Sequence, residues 1–183
     1  MATHMLALPS RRVLIAAFFA AMLIILLATH AVLASVTPQS PDVRNALGGP
    51  AKEFLVVPFV NGPQGVTTVN SYSGPTAVAI TGTGQASGTS LSDAFYVFTD
   101  YDGNPMEPWH PDEFYNFTLW INGGPADAYV NPIPPYNPRH IYVFIIDAPG
   151  GPLTFAVGDA GTFDNSGQYE IAVRALPRMP TDR

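Results

Sequence analysis

Three oxygen-bearing side chains stand close together near the C-terminal end of this chain. Asp159, Asp164 and Asn165 fall within seven residues, between the alternating apolar runs 153–157 and 169–173. Hard cations such as Ca²⁺ take six to eight oxygen ligands and accept flexible geometry, so a cluster of this kind suits them. Asp, Asn and Gly are also the common residues of hairpin turns. The spacing therefore leaves two interpretations open, a calcium loop and a polar hairpin.

A second group of residues that could contact a ligand lies in the long loop between residues 100 and 115. Trp109, His110 and Glu113 stand together there. The indole ring of Trp109 is suited to stacking on the face of a sugar. His110 could ligate a metal, but no second His has the spacing that a zinc site needs. The alternative interpretation is a solvated surface loop.

Motifs of phosphate binding and catalysis are missing or incomplete. Residues 82–88 are rich in glycine but lack the Lys and the following helix of a phosphate-binding loop. The sequence has no Gly-x-Ser-x-Gly motif and no cysteine, which excludes that hydrolase nucleophile and any thiolate site. Glu107 and Glu113 could be paired carboxylates of a glycoside hydrolase, whose separation in space decides the chemistry. We expect a protein that is not an enzyme.

The distribution of charge restricts the class of partner. The formal net charge is −6, and residues 53–173 contain twelve Asp and Glu against one basic residue, Arg139. Nucleic-acid binding needs Lys and Arg to displace counterions, so we expect no nucleic-acid partner. An acidic surface suits cation binding or a carbohydrate, and it also simply keeps a protein soluble.

The first 34 residues have the form of an export signal. Arg11 and Arg12 precede an unbroken apolar run at 13–28, and small residues follow up to Ala34. This order is typical of a secretory signal peptide, cleaved here after Ala34. The run also approaches the ~20 residues that span a bilayer, so an uncleaved membrane anchor through residues 13–34 is the alternative. Both interpretations place the rest of the chain outside the cell or on the outer face of the cell envelope.

Residues 35–52 and 177–183 flank the predicted domain. The first segment contains three prolines and two glycines without a hydrophobic period, so it is predicted to be a linker with at most one helical turn at 42–47. The second is polar and contains proline, which predicts a mobile tail.

Residues 53–176 are predicted to form one all-β domain. We predict about eight short strands, near Glu53–Val60, Val66–Asn70, Thr76–Gly82, Ala94–Thr99, Tyr115–Ile121, His140–Ile146, Pro152–Gly158 and Gln168–Arg174. The last two strands alternate clearly, with these side chains predicted to point inward: Leu153, Phe155, Val157, Tyr169, Ile171 and Val173. Residues 141–146 are apolar on both faces, which predicts a central strand or one covered by a loop. Short strands separated by turn residues predict an antiparallel β-sandwich, or jelly roll.

Four stretches together match the pattern of one family. They are Tyr72-Ser-Gly-Pro with Gly84-Gln-Ala-Ser, then His110-Pro111-Asp112, then residues 117–123, then residues 141–167, which end in Asp-Asn-Ser-Gly. In this order they resemble the small calcium-dependent, galactose-binding bacterial lectins of the PA-IL type, whose fold is a jelly-roll β-sandwich. The resemblance covers residues 69–173, and the Asp-Asn-Ser-Gly end is its most specific part.

The resemblance implies a calcium ion and a sugar bound directly to it. The implied ion ligands are side-chain oxygens and backbone carbonyls of Asp159, Thr162, Asp164, Asn165 and Gly88 (or Ser87). Thr162 and Gly88 would give carbonyl oxygens, and two sugar hydroxyls would complete the shell. The resemblance further implies that His110 and Glu113 hydrogen-bond the sugar's other oxygens.

This chain departs from the family pattern at several of these positions. The calcium loop is one residue shorter, and Asp164 stands where the family has Asn, which adds charge. The family's Tyr at the carbonyl position is absent. Glu113 replaces an amide, so when ionised it accepts hydrogen bonds but does not donate them. The loop 100–109 is longer than in the family.

Two functions from different classes follow. The first is an exported, lectin-like protein that binds a carbohydrate through calcium. The second is a structural subunit of the cell envelope, in which the β-sandwich and its ion serve stability and subunit contacts. That subunit would belong to a homo-oligomer or surface assembly, with residues 13–34 as a membrane anchor if they are retained.

Overall fold

The computed structural model describes residues 41–111, 117–159 and 161–177. They form a mostly β structure with antiparallel pairing, as predicted, consistent with an all-β sandwich. The strands are β1 (Glu53–Pro58), β2 (Val66–Thr81), β3 (Gly84–Ser87), β4 (Ser90–Ser92), β5 (Val97–Thr99), β6 (Pro105–Trp109), β7 (Leu119–Ile121), β8 (Gly124–Pro125), β9 (Ile141–Val157) and β10 (Ser166–Ala175). One α-helix, α1 (Pro41–Ala46), precedes them, and 3-10 helices occupy Phe59–Gln64, Ala126–Ala128 and Thr162–Asp164.

The sheet has two parts, and β10 pairs with strands of both. Its central residues pair with β1 on one side and β2 on the other, and the order continues from β2 to β9, β7 and β8. Its first residues, Ser166 and Gly167, pair with β3 instead, and the order continues from β3 to β4, β5 and β6. The loop that precedes β10 therefore lies beside the start of the second portion.

Alternating side chains of the last strands build the core. The six residues predicted to point inward from these strands are all buried with no exposed surface: Leu153, Phe155, Val157, Tyr169, Ile171 and Val173. They pack with inward residues of β1 and β2, among them Val57, Val78 and Ile80. Because strand side chains alternate between faces, the period-two pattern of apolar residues was sufficient to predict this part of the core.

Two pairs of predicted strands are single long strands. The predictions at 66–70 and 76–82 both fall in β2, and those at 140–146 and 152–158 both fall in β9. The glycines and prolines between them indicated breaks, but the two strands pair there, with Gly74 opposite Ala148 and Pro75 opposite Asp147. Irregular register between Thr67 and Ser73 absorbs the distortion within β2.

Among the described strands, residues 141–146 pair with β2 alone, whereas β7 pairs with residues 155–157 at the other end of β9. The central position predicted for residues 141–146 is therefore wrong. Every residue of this stretch is apolar or aromatic. Its two faces differ, however. Tyr142, Phe144 and Ile146 are buried, whereas Val143 and Ile145 are 48% and 59% exposed on the outer face. The apolar residues of this stretch therefore supply the core from one side only.

The predicted linker contains a helix that packs on the domain. Val43 and Leu47 from α1 and its C-terminal end are buried against Ala77, Ala79 and Ala172 on the outer face of the sheet. Small side chains at the three sheet positions allow a helix to approach closely. The structured part of the chain thus begins before residue 53.

Some predictions fall on other parts of the chain. The export signal or anchor at residues 1–34, Glu113 and the tail from residue 178 lie outside the described residues. Within the ranges that are described, no helix has both the length and the apolar character needed to cross a membrane.

Candidate metal centre

The loop between β9 and β10 brings several oxygen atoms into a short turn. Asp159 Oδ1 accepts a hydrogen bond from the Gly161 backbone N–H at 2.9 Å. The 3-10 helix Thr162–Asp164 follows, and the Asn165 N–H points back to the Thr162 carbonyl at 3.4 Å. Asp side chains that bond the backbone two residues on stabilise such turns. The loop therefore has a defined shape that its own polar groups support.

The end of β3, which is distant in sequence, lies beside this loop. The Gly88 backbone N–H, just after β3, donates to Asp164 Oδ2 at 3.1 Å. The Gln85 side-chain amide joins the two segments, because its Nε2 donates to the Asp164 carbonyl at 3.1 Å and also to the Gly88 carbonyl. A carbonyl oxygen has two lone pairs, so this bond leaves Gly88 able to accept again. Gly88 and Asp164 lie together as the resemblance implies.

Asn165 has a buried oxygen without a partner. The residue is 7% exposed, and its Nδ2 donates to the Phe59 carbonyl at 3.0 Å. Its Oδ1 is buried and accepts no hydrogen bond. A buried acceptor that is left unsatisfied costs about 1–3 kcal/mol, so it normally faces an ion or a water. The Asn165 oxygen thus fits a ligand position for a hard cation.

The turn Phe59–Gln64 supports the loop from the other side. Gly62 has a φ of +49°, and a Cβ atom there would lie 2.5 Å from Thr162 Cγ2 and 2.6 Å from the Asp159 carbonyl oxygen. Only glycine allows this combination of backbone angle and close approach. Contact with Gly62 therefore fixes the loop at both Asp159 and Thr162.

The candidate ligands are of mixed chemical type. Across residues 41–111, 117–159 and 161–177, no three His, Asp or Glu side chains converge as a metal cluster would. The set around the loop consists of two carboxylates, one amide oxygen and the carbonyls of Thr162 and Gly88. Calcium accepts such sets of carboxylate, amide and carbonyl oxygens, whereas zinc prefers nitrogen and sulfur. The residues present fit calcium.

Both ring nitrogens of His110 lie close to oxygen atoms of the protein. Its Nδ1 lies 2.7 Å from the Phe95 carbonyl, and its Nε2 lies 3.7 Å from Asp127 Oδ2. Trp109, in contrast, is 39% exposed and lines a cavity beside β5 and β6. Trp109 is therefore more exposed than His110, and Glu113 is outside the described residues.

Sequence reasoning missed a buried polar group centred on Asp93. This carboxylate has no exposed surface, and its Oδ1 accepts from the backbone N–H groups of Phe95 and Tyr96 at 2.9 and 2.8 Å. Its Oδ2 accepts from the Tyr142 hydroxyl at 2.7 Å and lies 2.8 Å from His140 Nδ1. The hydrogen bonds of Asp93 connect the β4–β5 connection to His140 and Tyr142 at the start of β9. Its side-chain partners, Tyr142 and His140, are too distant in sequence for any local pattern to reveal them.

The environment of Tyr142 keeps its hydroxyl protonated. Burial is the largest cause of its raised pKa, and the hydrogen bond to Asp93 and the charge of that carboxylate act in the same direction. Tyr142 therefore donates to Asp93 throughout the physiological range. His140 has a φ of +54°, which is unusual for a residue with a side chain. Its ring stacks on Phe98, with centroids 4.6 Å apart, and this contact holds it beside Asp93.

Comparison with protein-family models gives no match to this chain, and comparison with curated proteins gives no significant match either.

Proposed function

We propose that this chain is a calcium-dependent carbohydrate-binding protein with a jelly-roll β-sandwich. The ion would be held by Asp159, Asp164 and Asn165 with the carbonyls of Thr162 and Gly88. The observation that supports this most directly is the buried Asn165 Oδ1, which accepts no hydrogen bond, in a loop that also contains Asp159 and Asp164. An ion at this point would satisfy that oxygen and neutralise the carboxylates.

The exposure of the loop leaves room for a ligand on the ion. Asp159 and Asp164 are partly exposed, and Phe163 and Ser166 are exposed to solvent. Protein oxygens from five residues are fewer than the six to eight that calcium takes. The remaining positions would be filled by two hydroxyls of a sugar, as the resemblance implies, or by water.

Calcium titration tests the ion site. Asp159→Asn and Asp164→Asn each remove a charged ligand, so we expect calcium affinity to fall at least about tenfold in isothermal titration calorimetry. Asp147→Asn is the matched control, because it removes one carboxylate from an exposed position of β9 outside the loop. Unchanged calcium affinity in both loop variants would contradict the proposed ligands.

Sugar binding is tested separately on a glycan array. The proposal requires binding in calcium that is lost in EDTA and in Asp159→Ala. Binding that persists in both conditions would exclude recognition through the ion. A calcium-bound protein that binds no glycan would retain the ion site and reject the lectin function.

A structural subunit is the second candidate, and one observation favours it. Val143 and Ile145 stand at alternate positions of β9, so their exposed side chains lie on the same outer face. Exposed apolar side chains that adjoin one another are typical of contact surfaces. A second copy of this chain is the partner that this candidate requires. The ion would then serve to stabilise the loop, and at about 100 times its Kd it would add about 2.7 kcal/mol to the free energy of unfolding.

A further inference from the structure

An apolar hollow lies beside β5 and β6, which end the strand order among the described residues. Its volume is about 360 Å³, and five of its lining residues present apolar surface: Val97, Tyr101, Met106, Trp109 and Phe117. Three of them are large and exposed, with Tyr101 at 69%, Trp109 at 39% and Met106 at 36%. Large apolar side chains gathered in one concave site are typical of a small-molecule site.

An irregular pairing of the two strands creates the hollow. Val97 pairs with Trp109 and Thr99 pairs with Pro105, so three residues of β6 lie opposite the single residue Phe98. Extra residues on one strand bend it away from its partner and redirect its side chains. Met106 belongs to this extra segment and lines the opening. The hollow is thus a feature of the loop that is longer here than in the family pattern.

The polar residues at the rim already bind protein groups. The Ser90 hydroxyl donates to the Asp100 carbonyl at 3.2 Å, and Thr99 Oγ1 accepts from the Leu91 N–H at 2.6 Å. The Asp100 carboxylate accepts from the backbone N–H groups of Asp102 and Asn104 at 3.0 and 2.8 Å. A charged or strongly polar ligand would have to compete with these bonds. The hollow therefore favours an uncharged, apolar group.

The size and lining of the hollow restrict that group further. The volume is more than twice that of an engineered cavity of ~150 Å³ that binds benzene. Aromatic rings prefer aromatic and thioether neighbours, and Tyr101, Trp109, Phe117 and Met106 supply both. We propose that this hollow binds an uncharged bicyclic aromatic group.

The proposed aromatic site borders the candidate metal centre and does not depend on it. A Cβ atom on Gly88 would lie 2.6 Å from Tyr101 Cε1, so the Tyr101 ring lies directly against Gly88. The Gly88 N–H in turn donates to Asp164. The aromatic group could therefore belong to a free compound or be attached to a sugar bound at the ion.

Fluorescence titration of the full chain with 6-propionyl-2-(dimethylamino)naphthalene, a neutral naphthalene dye, tests the site. We expect saturable 1:1 binding with blue-shifted emission, equal in calcium and in EDTA. Trp109→Ala should weaken binding at least about tenfold, because it removes the largest aromatic side chain among the lining residues. Phe163→Ala is the matched control, since this aromatic side chain is 94% exposed outside the hollow and its loss should leave dye affinity unchanged.

A second variant guards against a folding defect. Met106→Gln changes the polarity of the wall at an exposed edge position, and thermal unfolding would verify that each variant is folded. Binding that does not saturate, or that is unchanged in both Trp109→Ala and Met106→Gln, would overturn the proposal. Loss of dye affinity in Phe163→Ala alone would also overturn it.

A naphthyl galactoside distinguishes the two sources of the aromatic group. Tighter binding of this glycoside in calcium than in EDTA, abolished by Trp109→Ala, would assign the ring and the sugar to one ligand. Equal affinity in both conditions, again lost in Trp109→Ala, would assign the hollow to a free aromatic compound. If the loop binds no calcium, the dye titration still tests the hollow, because dye binding is expected to be the same in calcium and in EDTA.

Discussion

Asp93 is the residue on which the buried polar contacts between the β4–β5 connection and β9 converge. A buried carboxylate is tolerated only where donors surround it, and here two backbone N–H groups, the Tyr142 hydroxyl and His140 do so. The Tyr169 hydroxyl also donates to the Asp93 carbonyl at 3.0 Å. One residue thus connects three regions of the core that are distant in sequence.

Removing one donor from this carboxylate should destabilise the fold. We expect Tyr142→Phe to lower the free energy of unfolding by about 2 kcal/mol, because Asp93 stays buried with one fewer hydrogen bond. Urea denaturation at pH 7 measures the change. Tyr129→Phe is the control, since Tyr129 donates its backbone N–H, and not its hydroxyl, to the Ala126 carbonyl at 2.9 Å. Equal effects of the two substitutions would show that the bond to Asp93 contributes little.

Glu53 stabilises the irregular region of β2 through its carboxylate. The carboxylate accepts from the backbone N–H of Val69 at 2.6 Å, from the backbone and side chain of Asn70 at 3.1 and 2.8 Å, and from the Tyr72 hydroxyl at 3.4 Å. Partial burial acts to raise the pKa of Glu53, but these hydrogen bonds outweigh it, and the pKa lies below its usual value. The pKa of Tyr72 is shifted upward instead. Burial and the nearby charge of Glu53 raise it to about 12.

The lowered pKa of Glu53 predicts how stability depends on pH. A carboxyl group with a lower pKa in the folded state contributes stability above its unfolded pKa of about 4.3 and loses it as pH falls through the folded pKa. Glu53→Gln should therefore cost about 1 kcal/mol at pH 7, a small value because the group is partly exposed. The difference from the unsubstituted protein should shrink at pH 3. Glu107→Gln, at an exposed position of β6, should show neither effect.

Glycine substitutions test whether the turn Phe59–Gln64 supports the loop that contains Asp159 and Thr162. Gly62→Ala would push against Thr162 and the Asp159 carbonyl, so we expect lower stability and weaker calcium binding by about tenfold or more. Gly48→Ala imposes a similar backbone strain at φ +62° with nothing within 4 Å. It should cost about 1 kcal/mol of stability and leave calcium affinity unchanged. Equal calcium affinities in the two variants would contradict the role of Gly62.

The elements differ in how much the sequence could reveal. The last strands were predictable because Leu153, Phe155 and Val157 alternate without interruption. The residues of β6 were predicted as part of the long loop 100–115. They include Pro105 and Pro108, and an edge strand tolerates proline on its unpaired side. β3 and β4 have only four and three residues, too few for a period to emerge. The contact of Gly88 with Asp164 joins residues 76 positions apart, which no local spacing indicates.

The exposed pair on β9 distinguishes the two candidate functions for the molecule as a whole. If the protein is a structural subunit, light scattering should detect an oligomer, and Ile145→Asp should convert it to monomers by placing a charge in the contact. Val69→Asp is the control, because Val69 is 92% exposed at a different position of the sheet. An unsubstituted protein that is monomeric at high concentration would contradict the subunit candidate and leave the lectin proposal standing.

The antiparallel pairing of β1 with β10 also determines at which end of the sheet the loop with Asp159 and Asp164 lies. Glu53 lies opposite Val173, so the chain enters and leaves this sheet at the same end. Pro58 lies opposite Gln168 at the other end, and the loop with Asp159 and Asp164 precedes that end of β10. Six residues of strand span roughly 20 Å. A ligand that contacts the loop with Asp159 and Asp164 would therefore approach the sheet from the end remote from Glu53 and Val173.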